Sequence, residues 1–245
     1  MKEWLYGRNP VYEVLQAGRR QMYTLRIAKG VQEKGRVADI LLLCRTKHIA
    51  VEYVPRQTLD SIDRHHQGVA LQVSDYPYAD LTEILDQTVE RGEPPFLLLL
   101  DTLKDPQNLG TLLRTAEAVG VHGVVIPLAR TATITPAVVS SSSGACEHLL
   151  VTQANLAQVI DVVKEHDAWV IGLDGGADSQ PANRVNLKGG LALVVGSEGE
   201  GMRRLVREKC DLLMRLPMRG KVDSLNAAVA GSVALYLALA ARNPK

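Results

Sequence analysis

Three stretches of this 245-residue sequence carry side chains that could do chemistry. The first is Gly196-Ser197-Glu198-Gly199-Glu200-Gly201. Its glycines let backbone groups approach a ligand closely or take positive φ. No Lys-Ser/Thr follows, so it is not a Walker loop, and Arg204 stands where the third glycine of a G-x-G-x-x-G turn belongs. Its two glutamates would repel a pyrophosphate, which leaves a cationic or zwitterionic ligand as the better match. The second stretch runs from Leu212 to Ala230: an apolar run breaks at Pro217, and Arg215, Arg219 and Lys221 make the following loop basic. Order resumes at Asp223 or Ser224, both good N-caps. The helix they introduce is apolar on nearly every side and is expected to be fully buried. In the third, Asn108 is expected to cap a helix, Gly110 leaves a gap, and Arg114 stands one turn above Gly110. With Gly110 and Glu117 as its neighbours, Arg114 projects over a hole. A solvated surface turn and a solvent-pointing arginine are the plain alternatives.

Other reactive side chains point nowhere as specific. His65 and His66 are adjacent, but no third ligand is spaced to join them at a metal. A polar turn that touches RNA or its own domain fits them better. Ser140–Ser143 lacks a placed His and Asp for hydrolase chemistry. Cys44, Cys146 and Cys210 are scattered and fit neither a disulfide framework nor a zinc site. No metal site is expected, and the location read from the cysteines is reducing and cytoplasmic.

These residues need a frame, and the apolar pattern supplies one. Continuous apolar runs at 96–100, 123–126, 149–152, 169–173, 191–195 and 212–216 read as strands buried on both faces of a parallel sheet. Helical patterns at 108–119, 156–165 and 202–208 fill most of the gaps, so the class is α/β with an open parallel sheet. Ligands in such sheets sit outside the carboxyl ends of the strands. Those ends carry Asp174-Gly175-Gly176, the Gly196–Gly201 loop, the basic loop and Asp101 to Gly110.

Residues 1–76 read as a separate small α/β module. Asn9-Pro10 caps a short helix that stops at Gly18, and strands at 22–28, 49–54 and 69–73 alternate with a helix at 32–46. Residues 77–95 read as a linker ending in the breaker cluster RGEPP. Residues 96–245 form the second domain.

Composition narrows the class further. Hydrophobic residues make up 46% of the chain, enough for a real core, and no run is long and apolar enough to read as a membrane span. The net charge of +1 hides an asymmetry: residues 1–76 hold 12 Lys/Arg against 8 Asp/Glu, and residues 77–245 hold 16 against 19. A basic recognition module on a near-neutral enzyme would show this balance, with phosphate contacts confined to a patch.

Taken together, NLGTLLRTAEAVG (Asn108–Gly120), LVVGSEGEGM (Leu193–Met202) and LPMRGKVDSLNAAVA (Leu216–Ala230) resemble the signature motifs of the SpoU (TrmH) family of RNA 2′-O-ribose methyltransferases. GRNPVYEVL and HHQGVALQV are similar to that family's substrate-binding domain, of the ribosomal-protein L30e type. The resemblance implies a C-terminal α/β knot (SPOUT) with a small N-terminal L30e-like domain. It implies S-adenosylmethionine held at Leu173, Gly196, Leu216, Met218 and Leu225, and polar active-site residues Asn108, Arg114, Glu198, Ser224 and Asn226. It implies RNA as partner and a homodimer, with the C-terminal helix and the first catalytic-domain helix at the interface. Within the family, the nearest form methylates a guanosine of large-subunit ribosomal RNA. A transfer-RNA methyltransferase and a non-catalytic RNA-binding or ribosome-assembly factor on the same fold are the alternatives. Ser224 either caps its helix or acts in the site, Glu198 is a candidate to orient Arg114, and Asn226 to hold the ribose or the cofactor. Arg114 stays protonated at neutral pH, which favours charge stabilisation over a role as base.

Overall fold

A computed structural model describes residues 2–222 and 224–242. The chain forms two compact units, one of residues up to Pro77 together with Ile134–His148, the other of Tyr78–Thr133 and the chain from Leu149 on.

In the first unit, β1 (Lys2–Tyr6), α1 (Arg8–Ala17), β2 (Met22–Ala28), α2 (Arg36–Thr46), β3 (Ala50–Val54), α3 (Arg56–Asp60) and β4 (Val69–Ser74) build a four-stranded sheet of order β1-β4-β2-β3. Only β2 and β3 are parallel, as the α2 crossover between them requires. Apolar alternation makes β2 and β4 legible as strands. By contrast β1 is short, half-exposed and begins with two charged residues, and it becomes a strand by pairing with β4, about 70 positions away. The first helix starts two residues earlier than Asn9-Pro10 implies: Gly7, at φ 91°, is its N-cap, and Pro10 sits in the first turn, where no N–H is needed. His66 belongs to its own module. Its buried ring accepts the Gly68 N–H on Nδ1 at 2.7 Å, so Nε2 carries the proton toward Asp60 at 3.1 Å.

The second unit begins inside the stretch read as a linker. There α4 (Leu81–Arg91) is fixed by a capping box between Asp80 and Glu83, and it buries Ile84 and Leu85 in the same cluster as Leu97, Leu99 and Val125. Next come β5 (Phe96–Leu100), α5 (Pro106–Ala118) and β6 (Gly123–Ile126). The chain then enters the first unit for α6 (Pro136–Ser141), which packs against β1, and a 3₁₀ turn at Ala145–His148 that packs on α1. Gly144 permits that approach, because a Cβ there would lie 2.6 Å from Glu13 Cβ. Back in the second unit are β7 (Leu150–Gln153), α7 (Leu156–Glu165), β8 (Ala168–Leu173), β9 (Gln180–Pro181), β10 (Gly190–Val195), α8 (Arg204–Lys209), β11 (Leu212–Arg215) and α9 (Ala227–Arg242).

The seven strands pair in parallel, in the order β7-β6-β5-β10-β8-β11-β9. Every residue of β5 is buried, as its unbroken apolar sequence demands of a central strand. Each such Leu is worth about 1.5–3 kcal/mol in area removed from water, an upper bound. The pairs β10–β5 and β10–β8 bring the ends of β5, β10, β8 and β11 side by side. The last helix packs on α5 and β10 through small residues, with Gly231 against Leu112. It is not buried all round: Ala227, Ala228, Gly231, Ala234, Leu235 and Ala238 face the protein, while Val229, Val233, Tyr236 and Leu237 are exposed. A helix on a sheet face has only one side to bury, and here its other side is apolar too. Among the described residues no helix is long and apolar enough to cross a membrane, and no cluster of His, Cys, Asp or Glu could hold a metal ion.

Candidate active site

The adjacent strands β10, β8 and β11 end beside one another, so their loops enclose a cavity of about 720 Å³. Leu173 closes β8, Gly196 follows β10, and Leu216, Met218 and Leu225 come from the loop after β11; all five line the cavity. Glu198, Glu200 and Asp174 give it carboxylates, and Ser224 and Asn226 also line it.

The Gly196–Gly201 loop is a closed hairpin. Ser197 and Gly201 exchange both backbone hydrogen bonds at 3.0 Å. A Cβ on Gly196 would lie 2.3 Å from the Gly201 carbonyl carbon and 2.4 Å from the Met202 nitrogen, so only glycine admits this turn. Two acids at the strand ends hold these loops from behind; the sequence places both there, but not the arginines that they bind. Asp101, fully buried at the end of β5, accepts the Arg203 N–H and its Nε–H, both at 2.7 Å. Asp174 accepts the Gly176 N–H at 2.7 Å and Arg207 Nε–H at 2.9 Å. Burial pushes the Asp174 carboxyl up, but the Gly176 amide and the Arg207 guanidinium outweigh it and hold the group below the usual carboxylate range. The signal that could have found these pairs is an acid at the carboxyl end of an apolar run, with an arginine following the next strand.

Asn108, Glu198 and Asn226 meet. Asn108 Nδ2 donates to Glu198 Oε1 at 3.0 Å, Asn226 Nδ2 donates to Asn108 Oδ1 at 3.0 Å, and Asn226 Nδ2 also donates to Glu198 Oε1. Local structure explains why these two asparagines can do this. The α5 cap is Asp105, not Asn108: the Asp105 side chain accepts the Gln107 N–H at 3.1 Å, with Pro106 at the first helical position. That leaves the Asn108 carboxamide free of the helix end. The α9 cap is Asn226, whose Oδ1 accepts the N–H groups of Ala228 at 2.9 Å and Val229 at 3.1 Å. Capping fixes which atom is oxygen, so Nδ2 must face Asn108 and Glu198. The expected cap at Ser224 is therefore absent, and its side chain lies on the cavity wall instead; Asp223 falls outside the described residues. Arg114 is exposed on α5 and, like Asn108, is not among the cavity-lining residues.

Comparison with known proteins places the chain in one family. Residues 95–236 match the model of the SpoU rRNA methylase family, and residues 4–79 match RNA 2′-O ribose methyltransferase substrate binding. The chain is 44% identical to YacO of Bacillus subtilis, a protein named for the TrmH tRNA/rRNA methyltransferase family, over 99% of this chain and 97% of that one. Among solved structures it resembles the SpoU methyltransferase AviRb from Streptomyces viridochromogenes in complex with AdoMet, with TM-score 0.80, 24% identity, and 97% and 89% of the two chains covered. It also resembles an AdoMet-bound rRNA methyltransferase from Sinorhizobium meliloti, with TM-score 0.78, 23% identity, and coverage of 97% and 86%. The chain therefore belongs to the SpoU rRNA methylase family, as an RNA 2′-O-ribose methyltransferase that carries the family's substrate-binding module ahead of its parallel-sheet unit.

Proposed function

We propose that this chain uses S-adenosylmethionine to methylate the 2′-hydroxyl of a guanosine in large-subunit ribosomal RNA. The observation that carries the reading is the joined triad Asn108–Glu198–Asn226 at a cavity walled by Leu173, Leu216, Met218 and Leu225. The cavity's chemistry fits that cofactor. Apolar side chains offer a bed for an adenosine, carboxylates suit a sulfonium and an ammonium, and the volume suits a ligand of this size. Two fold relatives were solved with AdoMet.

When bound, S-adenosylmethionine supplies an electrophilic methyl group on a sulfonium that departs as a neutral thioether. The residues of this chain manage what remains, the ribose oxygen and its proton. Glu198, held by two carboxamides, keeps negative potential at the cavity, and in this proposal it is the carboxylate that would orient Arg114 once RNA is bound. The Arg114 guanidinium stabilises charge as it develops on the ribose oxygen, a role that needs no loss of its own proton. Asn226 orients the ribose-proximal end of the site, and Ser224 offers a hydroxyl to it. The exposed stripe Val229, Val233, Tyr236 and Leu237 on α9 supports a homodimer through this helix. Val233→Asp would then leave a monomer in sedimentation, and an unchanged sedimentation profile would remove α9 from the interface.

The test of the function is ribose-methylation mapping of ribosomal and transfer RNA from cells with and without this protein. Loss of one methyl mark on a large-subunit guanosine is the expected result. Loss confined to transfer RNA would move the substrate to that class. Intact marks, together with no uptake of S-adenosylmethionine in calorimetry, would leave a non-catalytic RNA-binding protein.

A further inference from the structure

Two loops at the carboxyl edge of the large sheet are fastened to each other and strained in the same way. The loop after β5 runs from Asp101 to Asp105, and the loop after β6 from Pro127 to Thr133. Leu103, buried in the first, accepts two hydrogen bonds on its carbonyl from the second: the Ala132 N–H at 2.6 Å and the Thr131 hydroxyl at 2.8 Å. Each loop holds a non-glycine residue in the left-handed region, Thr102 and Arg130, both at φ 61°. For a β-branched Thr this conformation is an outlier, and it persists only where the surroundings over-determine it. Here they do. Asp101 is fully buried, donates its N–H to the Val195 carbonyl at 2.8 Å, and receives Arg203.

This rigid joint presents cations. Lys104 follows Leu103 directly and Arg130 precedes Thr131 directly, so they flank the same pair of hydrogen bonds. Both are exposed, and neither side chain has a hydrogen-bond or ion-pair partner among the described residues. Lys104 lies four residues before Asn108 of the triad. Beside Arg130, Leu128 is 71% exposed, an apolar side chain that the fold leaves open to solvent. Two unpaired cations and a bare Leu on a strained joint are poorly explained by stability. A polyanionic chain that carries flat apolar bases would use all three.

We propose that Lys104 and Arg130 clamp the phosphates of the RNA strand next to the methylated nucleotide, with Leu128 packing against a base. The inference rests on the RNA methyltransferase reading and adds to it the surface that holds the strand at the triad. A basic peptide-binding face is excluded by the sign of the charge. An acidic protein partner is the alternative that the test must separate.

The test uses the full chain, a transcript of large-subunit ribosomal RNA as probe, and the variants Lys104→Gln, Arg130→Gln and their combination. Each single change is expected to weaken RNA binding several-fold, and the pair by roughly 10- to 100-fold at moderate salt. The slope of log K against log[salt] should fall by about 0.7 for each single-strand phosphate no longer neutralised. Calorimetric uptake of S-adenosylmethionine should stay at the wild-type value, and turnover at saturating RNA should change less than KM. Arg130→Gly separates charge from conformation. Glycine accepts φ 61° without strain, so this variant should melt no lower than wild type and still bind RNA more weakly. Wild-type affinity and salt slope in the double variant would overturn the clamp and leave the surface to another partner. Failure of the wild-type protein to bind or methylate RNA would instead overturn the reading beneath it.

Discussion

Arg20 is the most completely buried cation of the first unit, and its removal gives a prediction that can be worked through in numbers. Its side chain has 0% exposure and that of Glu147 1%. Nε reaches both carboxylate oxygens of Glu147, at 3.1 and 2.9 Å, and Nη2 adds a third bond at 2.7 Å. Nη1 donates to the Ser74 carbonyl at 3.1 Å and pairs with Glu3, whose side chain keeps 21% exposure. Glu147 sits in the 3₁₀ turn at Ala145–His148, so this cluster joins the inserted segment to the N-terminal module within the first unit.

The two halves of the pair are not equivalent. Arg20→Met leaves Glu147 buried with its three charged bonds gone, a loss of about 3–5 kcal/mol, whereas Glu3 can turn toward water. Glu147→Gln keeps one acceptor in place, and Glu3 still balances the guanidinium, so the loss is about 1–3 kcal/mol. Replacing both with Met removes charge and counter-charge together and should recover much of the Arg20→Met loss. The assay is urea unfolding followed by tryptophan fluorescence in a Trp169→Phe background. Of the two tryptophans, Trp4 lies in the first unit and Trp169, 60% exposed, lies in the second. Against a typical total of about 5–15 kcal/mol, such losses shift the midpoint plainly. A cost below about 1 kcal/mol for Arg20→Met, or strict additivity in the double variant, would refute the reasoning.

Three further outcomes follow from the second unit. Arg114→Ala should lose roughly 10²- to 10⁴-fold in turnover on RNA while calorimetric uptake of S-adenosylmethionine survives; near-normal turnover would take Arg114 out of the mechanism. Asn226→Asp keeps an oxygen that can cap α9, so melting should shift little, whereas Asn226→Ala should cost about 1 kcal/mol in helix capping. Both should lose activity, because each removes the Nδ2 donor to Asn108 and Glu198, and the Asp variant adds a like charge. His122 is buried, accepts the Phe96 N–H on Nδ1 at 3.1 Å and faces Glu93, and burial and Arg91 hold its pKa below 6.5 against the pull of Glu93. The folded state thus prefers neutral imidazole, and stability is lost as pH falls below about 6.5 toward the lower folded value. His122→Asn, which keeps an acceptor for Phe96, should flatten the melting temperature between pH 7.5 and 5.5, and an unchanged slope would assign the pH response elsewhere.

The large sheet is legible in the sequence because its strands are buried on both faces. FLLLL, GVVI and LALVV leave no reading but a central parallel strand, and the carboxyl-end rule then locates the loops that enclose the cavity. What stays hidden depends on partners far along the chain. The first strand exists through β4, α4 is part of a core and not a tether, and Ile134–His148 joins the N-terminal module through Glu147 and Gly144. The loop after β11 walls the cavity through Leu216, Met218, Ser224 and Leu225, as its place at a strand end implies, whereas Arg219 and Lys221, the cations that mark it in the sequence, are not among the lining residues. The helix beyond it is less buried than its composition suggests, since hydropathy alone does not tell a protein-covered face from an uncovered one.

The helix caps show why the site residues are easier to name from sequence than their roles. Any of Asp105, Asn108, Asp223, Ser224 and Asn226 is an acceptable cap by residue type. Distance along the chain does not choose among them, and the choice decides the chemistry. Because Asp105 caps α5, Asn108 falls in the first helical turn with its carboxamide available; because Asn226 caps α9, its amide has one orientation only. Had Ser224 capped α9, Asn226 would lie inside the helix, and no backbone N–H would fix which face of its carboxamide meets Glu198. The secondary-structure boundary and the polarity of the site are thus one and the same constraint, and a substitution that shifts either cap by a residue should abolish the triad even where the fold survives.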